Sequence, residues 1–85
     1  MPQNVLGPST ADSLREVVAG IVGTPAAEIP GDANLVFLGL GSLEMMRLVT
    51  RWRREGLSVE FSELAAEPTI DAWAAHLDDA RRAVG

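Results

Sequence analysis

The 85-residue sequence predicts an all-α fold, a small bundle of four helices, three longer and one short, with a long loop before the second. Two observations carry this. Apolar residues recur at spacings of three, four and seven in three separate windows, which is the period of an amphipathic helix, and serine or threonine stands before each window as a start signal. The only strict alternation of apolar and polar residues, Leu57 to Phe61, is too short to form a sheet without a partner strand.

The elements follow in order. Residues 1–8 hold two prolines and a glycine without any period and read as a loose lead-in, so that the folded domain is expected over 9–85. The first helix starts at Ser9 or Thr10, with Ser9 and Asp12 in capping-box spacing, and buries Leu14, Val17, Val18, Ile21 and Val22. Gly23 and Pro25 end it. From Thr24 to Leu40 the pattern is irregular: a helical turn is expected near Ala26 to Ile29, and Leu35, Phe37 and Leu38 are expected to pin the loop to the core. A loop this long inside a compact domain usually has a task.

The second helix is expected from Leu43 to about Glu55, closed by Gly56, with Met45, Leu48, Val49 and Trp52 facing inward. Leu43, Met46, Arg47, Thr50 and Arg54 share an adjoining face, which leaves two large apolar groups near its exposed start. Leu57 to Phe61 form an extended connector. Ser62 is expected to cap a short helical turn stopped by Pro68, and Thr69 to cap a last helix with Ile70, Trp73, Ala74 and Leu77 inward and His76 on the surface.

Composition excludes several functions. Without cysteine and with one histidine, the chain cannot assemble a thiol nucleophile, a disulfide or an ordinary serine–histidine triad, and no catalytic residue or metal ligand set is assigned. Seven arginines, no lysine and twelve acidic residues give a net charge of −5, the wrong sign for nonspecific nucleic-acid binding. No run is long enough to span a membrane and no signal peptide is visible, so a soluble, cytoplasmic, monomeric protein with protein partners is expected.

The stretch Phe37-Leu38-Gly39-Leu40-Gly41-Ser42-Leu43-Glu44-Met45-Met46 organises the rest. Two glycines free the backbone for a tight turn and Ser42 stands where the helical pattern begins. A serine there can simply cap the helix, accepting a hydrogen bond from a backbone N–H one turn in. It can also present a nucleophilic hydroxyl.

The order of these elements resembles a carrier protein of the acyl and peptidyl type, and Leu38-Gly39-Leu40-Gly41-Ser42-Leu43 looks like that family's attachment motif. Met45-Met46-Arg47-Leu48, Arg51-Trp52-Arg53, Val59-Glu60-Phe61-Ser62-Glu63-Leu64-Ala65 and Pro68-Thr69-Ile70-Asp71-Ala72-Trp73 are together similar to the aryl carrier domains of nonribosomal peptide synthetases. The resemblance implies an acyl-carrier-protein-like four-helix bundle in which Ser42 receives a 4′-phosphopantetheine arm from coenzyme A through a phosphopantetheinyl transferase. An adenylating enzyme would then load the arm with an aryl acid or amino acid for a condensing or other acyl-transfer enzyme, in siderophore-type biosynthesis. Gly39, Gly41, Leu43, Met46, Arg47, Phe61 and Ala65 would form the partner surface. One position departs from the family pattern: Gly41 replaces the usual aspartate, which contacts the transferase. The alternatives are a freestanding peptidyl or polyketide carrier, and an unmodified helical interaction module.

Overall fold

The computed structural model describes residues 10–84, with side chains to residue 82; the lead-in and the Ser9 cap lie outside them. Four α-helices, α1 (Thr10–Val22), α2 (Ser42–Arg54), α3 (Phe61–Ala66) and α4 (Ile70–Val84), occur with one short 3-10 turn at Ala26–Glu28. No strand occurs among the described residues. The expected all-α bundle, with three longer helices and one short, is therefore the observed one.

Periodicity picks out the inward faces well. Met45, Leu48, Val49 and Trp52 of α2 and Ile70, Trp73 and Leu77 of α4 are buried against Leu14 and Val18 of α1. Ile21, assigned to the α1 stripe, is 39% exposed and stands outside the core cluster, against which Val17 and Val22 pack. His76 is half-buried rather than a free surface side chain.

Helix ends follow local chemistry. Leu57 N–H donates to Trp52 O and Gly56 N–H to Arg53 O, each at 3.0 Å, and Gly56 takes φ +91°, which together make a Schellman stop that folds buried Leu57 back onto the core. Thr69 caps α4 as expected, its Oγ1 accepting Ala72 N–H at 3.1 Å. Ser62 does not cap α3. That helix begins at Phe61, two residues earlier than a Ser62 cap requires, and its cap is Glu60, whose N–H donates to Glu63 Oε1 at 3.2 Å.

Two residues tie the layers together across long sequence distances. Arg15 Nε donates to Ile29 O at 2.9 Å, holding the loop after α1 against that helix, and Thr10 Oγ1 donates to Asp78 Oδ1 at 2.6 Å, joining the start of α1 to α4. Arg53 does the same for the connector, donating to Val59 O at 3.0 Å and pairing with Glu60 at 2.9 Å.

The long loop is fastened to the start of α4. Leu35 N–H donates to Pro68 O at 2.7 Å and Asp71 N–H to Gly31 O at 3.0 Å. The Asp71 carboxylate lies over Gly31, where an added Cβ would come within 2.3 Å of Oδ1. Because those atoms end an exposed side chain that can rotate away, Gly31→Ala should displace the Asp71 carboxylate at a cost below about 1 kcal/mol in urea unfolding followed by far-UV circular dichroism. In an Asp71→Ala background, which removes the three obstructing atoms, the same change should be neutral or stabilising; equal losses in both backgrounds would refute the contact.

Candidate functional site

The turn before α2 is built by its backbone. Leu35 and Leu40 are both fully buried, and Leu40 N–H donates to Leu35 O at 3.0 Å, so residues 36–39 are looped out between two anchors. Asn34 Oδ1 accepts Val36 N–H at 2.9 Å and Phe37 N–H at 3.3 Å, which organises the first half of the loop. Gly39 turns it with φ +111°, a left-handed conformation that a side chain would oppose.

This geometry corrects one expectation directly. Phe37 does not pin the loop: it is 88% exposed, and Val36 is exposed beside it, while Leu38 packs partly against the core. The second anchor is Leu40, which the sequence reading left unassigned.

The helix start differs by one residue from the expected cap. Gly41, at φ −90° and ψ 172°, is the cap, and Ser42 is the first helical residue. Gly41 O accepts Met45 N–H at 3.1 Å, and Gly41 N–H donates to Glu44 Oε1 at 3.1 Å. Glu44 thus supplies the backward half of a capping box; the forward half, a cap side-chain oxygen, is missing because residue 41 has no side chain. Ser42 is exposed, and its hydroxyl makes no hydrogen bond to any described residue. A serine that caps nothing has its oxygen lone pairs and proton available to an incoming reagent.

Around it the expected surface residues are partly gathered. Leu43 and Met46 are 57% and 55% exposed and line one open groove along α2 with Arg47, Thr50, Arg51 and Arg54. Met46 also meets half-buried Phe61 in a second hollow between α2 and α3. Gly39 and Gly41 flank the serine in the chain, whereas Ala65 is exposed on α3 and lines neither hollow. No helix among the described residues is long and apolar enough to cross a membrane.

Two contributions escaped the sequence reading. Glu44 follows Gly41 at capping-box spacing, a signal present in the sequence but passed over once the cap was placed at Ser42. The Arg53 link to the connector joins residues across a turn and has no one-dimensional signature.

Comparison with known proteins identifies the family. A family described as "Phosphopantetheine attachment site" matches residues 12–77. Phenyloxazoline synthase of Mycobacterium tuberculosis is 49% identical over 63 residues, covering 74% of this chain and 4% of the relative. Enterobactin synthase component B of Escherichia coli is 41% identical over 66 residues, covering 78% and 23%. Isochorismatase of Bacillus subtilis is 39% identical over 64 residues, covering 75% and 20%. The chain thus spans less than a quarter of each of these relatives.

Since the Ser42 hydroxyl stabilises nothing internally, Ser42→Ala should change unfolding free energy by less than about 0.5 kcal/mol. Glu44→Ala should cost about 0.5–2 kcal/mol by loss of the cap. The reverse order in chemical denaturation would restore Ser42 to the cap.

Proposed function

Because the chain belongs to the family defined by a phosphopantetheine attachment site, whose members carry 4′-phosphopantetheine covalently, we propose that Ser42 is the attachment point and that the domain is a non-catalytic carrier of an aryl acid. The observation that carries this is the exposed, uncommitted Ser42 hydroxyl at the first position of α2. The residues fit the group: the serine oxygen is accessible and Gly41 adds no side chain beside it.

Attachment asks little of this chain. The Ser42 oxygen attacks the phosphorus of coenzyme A that bears the pantetheine; the new O–P bond replaces the pyrophosphate bond, adenosine bisphosphate leaves, and the serine proton passes to a base on the transferase. The start of α2 suits the product, since its free N–H groups and dipole favour a phosphodiester anion. The bound group supplies a thiol that holds the acid as a thioester.

The partners in this reading are the transferase, an adenylating enzyme and a condensing or other acyl-transfer enzyme. Gly39, Gly41, Leu43, Met46, Arg47, Phe61 and Ala65 form the surface they share. Exposure of Leu43 and Met46 beside Ser42 supports it, because transient docking rests on a few apolar anchors. The aryl assignment rests on the resemblance to aryl carriers and on a relative whose name denotes a phenyl-bearing product. Coenzyme A and ATP place such work in the cytoplasm.

Intact-mass analysis after incubation with coenzyme A and a broad-specificity transferase tests the reading. Wild type should gain the mass of one arm and Ser42→Ala none. An unchanged wild-type mass across several transferases would identify an unmodified interaction module instead. Loading of the arm by amino-acid but not aryl-acid adenylating enzymes would identify a peptidyl carrier.

A further inference from the structure

Glu44 holds the start of α2 by a single bond. Its Oε1 accepts Gly41 N–H at 3.1 Å, and it makes no ion pair with any described residue that would fix its charge there. The side chain is half-buried and lies close over the cap, so that a Cβ added to Gly41 would meet Oε1 at 2.8 Å. Arg47, one turn further along α2, is exposed and also makes no ion pair with any described residue. At a spacing of three, the two side chains are neighbours on the helix surface. A second resting place for the carboxylate is thus within reach and unused.

The cap and the attachment point share one helix end. Ser42 follows Gly41 directly, a Cα–Cα step of about 3.8 Å, so an anion carried on the Ser42 oxygen stands within a Debye length of Oε1, about 8 Å at physiological salt. A phosphodiester there is drawn to the free N–H groups and the dipole for the same reason that the carboxylate is. The bare chain therefore has one anion at this end and the modified chain two, and like charges so placed repel. Only one of them can move away. The phosphodiester is held by a covalent bond to Ser42, whereas Glu44 is kept in place by one hydrogen bond on a side chain free to rotate.

We propose that Glu44 caps α2 only while Ser42 is bare, and that the charge of the attached arm drives its carboxylate off the Gly41 N–H. This rests on the carrier reading above. The released carboxylate has Arg47 within reach. An enzyme that meets the bare chain finds Glu44 folded back over the cap, and one that meets the modified chain finds it turned away, so the surface beside Ser42 itself reports whether the arm is present.

Glu44→Ala and Glu44→Gln test this together, because glutamine can accept the same bond from Gly41 without carrying charge. Both variants and wild type are prepared bare and modified with coenzyme A and a transferase. Conversion is followed by intact mass and carried to completion, so a slower reaction of either variant does not enter the comparison. Urea midpoints are then measured for every form. Among the bare proteins, wild type and Glu44→Gln should both exceed Glu44→Ala, wild type by about 0.5–1 M urea. Among the modified proteins the wild-type advantage should fall below about a third of that, while Glu44→Gln keeps its own and becomes the more stable of the two. The Gly41 amide gives a readout that needs no unfolding: its peak in a proton–nitrogen correlation spectrum should move on Glu44→Ala in the bare protein and stay nearly still on the same change in the modified one.

A wild-type advantage over Glu44→Ala that is equal in the two forms, or a Gly41 peak equally sensitive in both, overturns the proposal and leaves the carrier reading intact. Loss of the Glu44→Gln advantage alongside that of wild type overturns it as well, because charge is then not the cause. Absence of the arm on wild type removes the carrier reading and the proposal with it.

Discussion

Trp73 is where the helices are forced to agree. Its ring is fully buried, its edge-to-face contact with Trp52 of α2 places the ring centroids 6.2 Å apart, and its Nε1 donates to Leu64 O of α3 at 3.0 Å. A buried indole N–H left without a partner is costly, so α3 must lie where its carbonyl can accept. The six residues of α3 could not hold a helix by themselves. Anchoring by Trp73 and Leu64 on one side and by Arg53 through the connector on the other gives it a fixed place.

The same logic carries to the serine. The loop before α2 has little regular structure, yet Leu35 is tied to Pro68 and Gly31 to Asp71 at the start of α4. Leu40 then returns the chain to the core two residues before Ser42. Position at the site is thus set from α4, across the bundle, while the side chain itself makes no bond. A carrier needs this combination, since rigid backbone placement fixes the point of attachment and a free hydroxyl leaves the chemistry to the visiting enzyme. On the proposed carrier reading, specificity resides in the α2 face beside it.

Much of this was legible one dimension at a time. The inward faces of α2 and α4, the Gly56 stop and the Thr69 cap all follow from period and local hydrogen bonding, which depend on near neighbours. The errors fall where distant contacts decide. Leu35-Val36-Phe37-Leu38 is an unbroken apolar run with no period to say which member turns inward. The turn closed by Leu40 onto Leu35, and the bond from Leu35 to Pro68, put Phe37 outside. The caps of α2 and α3 lie one and two residues before the expected Ser42 and Ser62 for a shared reason: a glutamate three residues beyond the true cap reaches back to its N–H, at Gly41 and at Glu60. The surface role of Leu43 and Met46 needed no such information, because the stripe beside the core stripe is defined by the same period.

The outward Phe37 also bears on how copies of the domain behave toward one another. Burying a phenylalanine side chain is worth about 1.5–3 kcal/mol, and the folded monomer realises almost none of it at this position. Opposing such burial between copies is the mutual repulsion of chains of net charge −5, which extends only over a Debye length, about 8 Å at physiological salt. Colloidal stability is therefore a contest between exposed apolar groups, Phe37 foremost, and a screened field, and concentrated salt tips it toward self-association.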